Sequence, residues 1–119
     1  MELQQIYEKI RAHFLTQGQK ATNNGFCVYR GPNNIKCAVG CLITDEAYDT
    51  ALENNSVSAK NVQEALSKSG IIMNADTYAF LSDAQSVHDT AYDTPNALIA
   101  EVPQLDAMAK RLGLKVVTQ

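Results

Sequence analysis

Apolar residues at Leu3, Ile6, Tyr7, Ile10 and Phe14 recur at the intervals that line one face of a helix, and Gly18 supplies a stop. The spacing predicts a helix over 3–17. The polar run QKATNNG at 19–25 predicts a surface loop. Residues 26–30 are rich in β-formers, Gly31-Pro32-Asn33-Asn34 is turn chemistry, and Ile35 returns to apolar character. Two short antiparallel strands around that turn are therefore expected. The apolar block from Cys37 to Ile43 fits either a buried strand or a buried helical turn. Its small residues Cys37, Ala38, Gly40 and Cys41 favour a strand through Lys36 and then a helical turn that approaches another backbone closely.

Farther along, Thr44-Asp45-Glu46 has the capping hydroxyl and acidic first turn of a helix, expected to end before Asn54. Ser58 is placed to cap a helix over 59–69, with Val62, Ala65 and Leu66 on one face and Gly70 as its terminator. Asn74 or Asp76 caps the next, in which Phe80, Ala84, Val87 and Ala91 recur at helical spacing. Thr94-Pro95 opens a final helical stretch carrying Leu98, Val102, Leu105, Ala109 and Leu112. Pro103 interrupts it, so a division near Val102 is expected. Gly113 ends it, and 114–117 is long enough to form an edge strand or to cover the core. These elements sum to an α+β, mainly helical single domain over 1–119, in which four to five helices surround a small β-hairpin.

The chain has 119 residues, enough for one core and too few for two. At 45% apolar and 19% charged residues its composition is that of a folding sequence rather than a disordered one. No apolar run approaches a membrane span, and the amino terminus lacks the features of a signal peptide. A cytoplasmic location without membrane partners is expected. The net charge of -3 argues against nucleic-acid binding, and Lys60, Lys68, Lys110 and Arg111 form no basic stripe.

All three cysteines, an odd number, fall within 27–41, which favours reduced thiols over a disulfide framework. Buried space-filling thiols are the default reading. A zinc site is an alternative, drawing on Cys27, Cys37 and Cys41 with His88 or His13, since sulfurs four residues apart share one side of a helical turn. A cysteine nucleophile assisted by His88 and Asp89 is another, although no protease signature accompanies it. The carboxylates Asp45, Glu46, Asp49 and Glu53 read as a solvated helix face, and no phosphate-cradling glycine loop is present. No cofactor is expected. Tyr29, Arg30, Asn33 and Tyr48 are the candidate interaction residues, because tyrosine and arginine are enriched in interface hot spots and the turn would project Arg30 from the body.

The dipeptide His88-Asp89 resembles that of the metal-dependent HD phosphohydrolases, whose ligand types are present here as His13, His88, Asp89 and Asp106. The likeness stops at the dipeptide. A broader one lies in YRGPNNIKCAVGCLITDEAYD at 29–49, with LSDAQSVHD at 81–89 and a terminal RLGL at 111–114. These resemble a family of small uncharacterised bacteriophage and prophage proteins, many of which have proline where Thr44 stands. The resemblance implies a phage-encoded accessory protein acting inside a bacterial host. It implies no activity and no catalytic residue. Together these readings point to a small non-enzymatic protein that works by protein-protein interaction on a host factor, such as a host-defence inhibitor or regulator. A Cys/His-dependent enzyme or a zinc or small-ligand domain is the alternative.

Overall fold

A computed structural model describes residues 1–117 and arranges them as four α-helices with a two-stranded antiparallel sheet. The helices are α1 (Leu3–Gln17), α2 (Lys60–Lys68), α3 (Ala75–Thr90) and α4 (Ala97–Arg111), and the strands are β1 (Thr22–Asn23) and β2 (Phe26–Cys27). This is the mainly helical α+β class that the periodicity predicts. Among the described residues no helix is long and apolar enough to cross a membrane.

Helix α1 has the expected bounds, with Gly18 at a positive φ of 76° as its cap. It runs antiparallel to α4. At one end the Leu98 N–H donates to the Gly18 carbonyl (2.8 Å), and at the other the Lys115 N–H donates to Gln4 Oε1 (2.9 Å). Midway, Asp106 of α4 accepts from Tyr7 Oη (2.6 Å) and Arg11 Nε (2.9 Å). Around this pair the core gathers Ile6, Ile10 and Phe14 of α1, Phe80, Leu81 and Ala84 of α3, and Leu98 and Leu105 of α4, all buried. Tyr7 meets Phe80 edge to face. Residues 114–117 form no strand; they lie over α1, where the Val117 N–H donates to Tyr7 Oη (3.1 Å).

Helix α4 is continuous through Pro103, against the expected division near Val102. Val102 and Leu105 are buried on either side of the proline and Asp106 is tied to α1, so packing holds both halves in line. Helix α2 buries Val62, Ala65 and Leu66 as predicted, but Ala59 rather than Ser58 stands at its N-cap and no side chain bonds there. In α3, Asn74 is the cap, accepting from the Thr77 N–H (2.9 Å).

The hairpin lies one turn earlier than expected. Asn24 and Gly25, with φ of 55° and 84°, form a tight two-residue turn that pairs Thr22 with Cys27 and Asn23 with Phe26. The predicted surface loop thus holds a strand. Around Gly31-Pro32-Asn33-Asn34 only one bridge forms, Arg30 with Lys36. Either side of that bridge the Gly31 N–H donates to the Ile35 carbonyl (2.8 Å) and the Cys37 N–H to the Tyr29 carbonyl (3.3 Å), but the Tyr29 N–H, the next ladder donor, goes to Glu53 Oε1 (2.9 Å) instead.

After Lys36 the chain does turn into a buried 3-10 segment, Gly40–Leu42, packed against α1. Its closeness to a neighbouring backbone is extreme: a β-carbon on Gly40 would stand 2.0 Å from the Tyr29 carbonyl oxygen. The helix expected from Thr44 does not form. One turn closes on the Thr44 carbonyl, then Asp49 becomes extended and caps a 3-10 turn, Thr50–Leu52, through the Ala51 N–H (2.8 Å).

Candidate functional site

Helix α3 carries two adjacent stripes. Phe80, Leu81, Ala84 and His88 face the core, whereas Ser82, Gln85, Ser86 and Asp89, also at helical spacing, line a cleft of about 260 Å³. The opposite wall is the segment 53–57, and Cys27, Val28 and Tyr29 complete the lining.

Within it a chain of hydrogen bonds ends at one carboxylate. His88 is fully buried; its Nε2 accepts the Ala21 N–H (2.9 Å), so its hydrogen sits on Nδ1 and is donated to Asp89 Oδ1 (2.8 Å). Gln85 Nε2 donates to the same oxygen (3.1 Å), and Gln85 Oε1 is itself anchored by the Val39 N–H (3.1 Å). Asp89 is therefore held by two oriented donors on one oxygen, while its side chain keeps 41% exposure.

Cys27, His88 and Asp89 place one ligand-type atom each within 4.8 Å of one another. The alternative zinc set does not assemble, because the other thiols are occupied elsewhere: Cys37 Sγ accepts from the Gly40 N–H (3.2 Å) and Cys41 Sγ donates to the Ala38 carbonyl (3.0 Å). A neutral imidazole ligand offers one bare nitrogen to the ion and keeps its hydrogen on the other. Here the bare Nε2 already faces Ala21, so a metal on Nδ1 would leave that bond without its natural proton arrangement. The same geometry opposes a Cys-His nucleophile, since neither ring nitrogen of His88 is free to take a thiol proton. Burial also pushes the Cys37 thiol well up, raises Cys41 to about 12, and, with help from the Asp89 charge, raises Cys27. All three favour the thiol over the reactive thiolate.

Of the residues shared with the HD pattern, His88 and Asp89 bond each other and the other two are engaged elsewhere. His13 Nε2 donates to the Lys36 carbonyl (2.7 Å), and Asp106 is engaged by Tyr7 and Arg11.

Of the interaction candidates, Tyr29 is buried, and burial raises its hydroxyl pKa. Arg30 does not project: its side chain is 19% exposed, donates to the Ile43 carbonyl (2.8 Å), pairs with Asp45 (2.8 Å) and lies 4.5 Å from the centre of the Tyr48 ring. Tyr48 Oη in turn donates to Glu53 Oε2 (2.6 Å). Burial and that bond push the Tyr48 hydroxyl up to about 12. Glu53, read from sequence as a solvated face, thus receives two main-chain N–H groups and a phenol. Asn33 is exposed, at a φ of 61°. The large apolar side chains that do stand in solvent near the cleft's segments are Phe26 (73% exposed), beside Cys27, and Tyr92 (82%), three residues after Asp89. Sequence reasoning missed both Gln85 and Phe26; Asn24-Gly25 was the signal for the second, since that turn sets which face each β2 residue takes.

Comparison of the chain with protein-family models, with curated proteins and with solved structures finds no match.

Proposed function

We propose that the chain is a small non-enzymatic binding protein, encoded by a phage and acting in the cytoplasm of its bacterial host, that occupies a surface of a host or phage protein. A host-defence or regulatory factor is the kind of target this reading favours. The observation that carries it is the pair of exposed aromatics, Phe26 and Tyr92, on the segments that also carry Cys27 and Asp89. Side chains of this size contribute strongly when buried by a partner and nothing to the core when left in water. The phage setting rests on the resemblance of 29–49. Tyr29, Arg30 and Tyr48 are engaged within the fold, while Asn33 lies on the exposed turn after Arg30.

The test is affinity capture from the bacterial host with the protein and two variants. The parent retains a partner at near-equal stoichiometry. A Phe26→Ser/Tyr92→Ser variant retains at least about tenfold less, as expected when two hot-spot aromatics are removed. Ile72→Ser serves as the control, since Ile72 is 60% exposed but precedes the opposite end of α3. A parent that retains nothing, or a double variant that retains as much as the parent, overturns the reading. The alternative, a Cys/His enzyme or a zinc or small-ligand domain, draws on the proximity of Cys27, His88 and Asp89. Stoichiometric zinc on the purified protein, or one hyper-reactive cysteine, would establish it instead.

A further inference from the structure

We propose that the cleft between α3 and residues 53–57 receives the guanidinium of an arginine presented by the protein partner, with the free Oδ2 of Asp89 as its principal acceptor. The inference rests on the binding-protein reading above and names the partner's chemistry. An acidic residue in the last turn of a helix opposes the macrodipole, because the carbonyl end already carries negative charge. Asp89 is nevertheless placed there, next to the end of α3 at Thr90. Its companions do not neutralise it by an ordinary ion pair. Lys20 Nζ bonds the Asp89 main-chain carbonyl (3.2 Å), and among the described residues the group paired with the carboxylate is His88, bound as a hydrogen-bond donor.

What the neighbours do is orient it. The buried path from Ala21 through His88, and the path from Val39 through Gln85, both end on Oδ1 and leave Oδ2 without a partner among the described residues. A carboxylate that only keeps a surface soluble needs no buried imidazole behind it, whereas one built to meet a directional donor gains from having its rotamer held.

The other lining groups narrow the ligand. Ser82 and Ser86 add exposed hydroxyls on the same stripe of α3, while Glu53 across the cleft has both oxygens engaged by Tyr29, Arg30 and Tyr48. One free carboxylate oxygen with hydroxyls along one helix face suits a planar donor fork, which arginine supplies and an ammonium does not. An anion would meet two carboxylates. A cleft of about 260 Å³ lies just below the span usual for a drug-sized ligand and accommodates one long side chain.

The experiment titrates isotope-labelled protein with Nα-acetyl-arginine amide, with the neutral citrulline analogue, and with agmatine, while following backbone amide shifts. The arginine amide is expected to bind saturably in the millimolar range with shifts at Ser86 and Cys27. Citrulline, and arginine on the Asp89→Asn variant, are expected to bind at least about tenfold more weakly. Asp89→Asn keeps an oxygen for His88, and an unchanged thermal midpoint verifies that it is folded. Equal binding of citrulline, an unaffected Asp89→Asn variant, or shifts confined to another face overturns the proposal. Agmatine bound tenfold tighter than the amide also overturns it, because it places a free small cation there rather than a protein side chain. A flat titration overturns the arginine proposal but, because no partner is used, leaves a partner captured through Phe26 and Tyr92 in place, and a failed capture leaves the titration's answer about the cleft intact.

Discussion

A methyl group at position 40 has nowhere to go. The Tyr29 carbonyl occupies that space, and its residue's N–H is held by Glu53, itself fixed by the Tyr48 hydroxyl, so it cannot retreat without loosening that bond. Gly40→Ala is expected to destabilise the fold by about 3 kcal/mol, the upper part of the range for overpacking, and urea denaturation midpoints check it. The run of small residues from Cys37 to Cys41 made a close approach readable in advance. Its partner was not, because nothing local connects Gly40 with Tyr29, and the same is true of Glu53, whose donors lie 24 and 23 residues back along the chain. A carboxylate beside other carboxylates looks solvated until the fold brings main-chain donors to it. His88 was readable as a candidate for chemistry; that Ala21 and Asp89 occupy its two nitrogens depended on where the β1–β2 turn put residue 21.

At the level of elements, periodicity located what is long and amphipathic and failed where backbone polar groups found side-chain partners. Helices α1 and α3 follow their apolar stripes, and their caps, Gly18 and Asn74, are residues with a known affinity for those positions. Between Thr44 and Asn54 the helix signals are present, yet Asp45 goes to Arg30, Asp49 to the Ala51 N–H and Glu53 to two main-chain amides, and these bonds break the segment into turns. Helix α4 is the reverse case, held across Pro103 by packing against the cost of a missing hydrogen bond to the Ile99 carbonyl. Replacing that proline restores the bond. Pro103→Ala is expected to stabilise the protein by roughly 2 kcal/mol, read as a higher denaturation midpoint with unchanged helical circular dichroism.

For the molecule as a whole, the pH dependence of stability follows from a histidine that is largely enclosed. Burial holds the His13 imidazole below its ordinary value of 6.5, the bond to the Lys36 carbonyl opposing that shift only in part. As pH falls through 6.5 the unfolded chain takes up the proton before the folded one does, so stability declines as pH falls below about 7. The thermal midpoint is expected to drop between pH 7.5 and 5.5, and less steeply in His13→Gln, before the carboxylates begin to titrate.

The antiparallel contact of α1 with α4 bears on how the chain comes to be folded in a cell. Helix α1 leaves the ribosome well before its main neighbour α4, which follows nearly a hundred residues later, as the reach from Tyr7 to Asp106 measures. During synthesis the apolar face of α1 must wait, open to chaperones or to other nascent chains, until α4 has emerged.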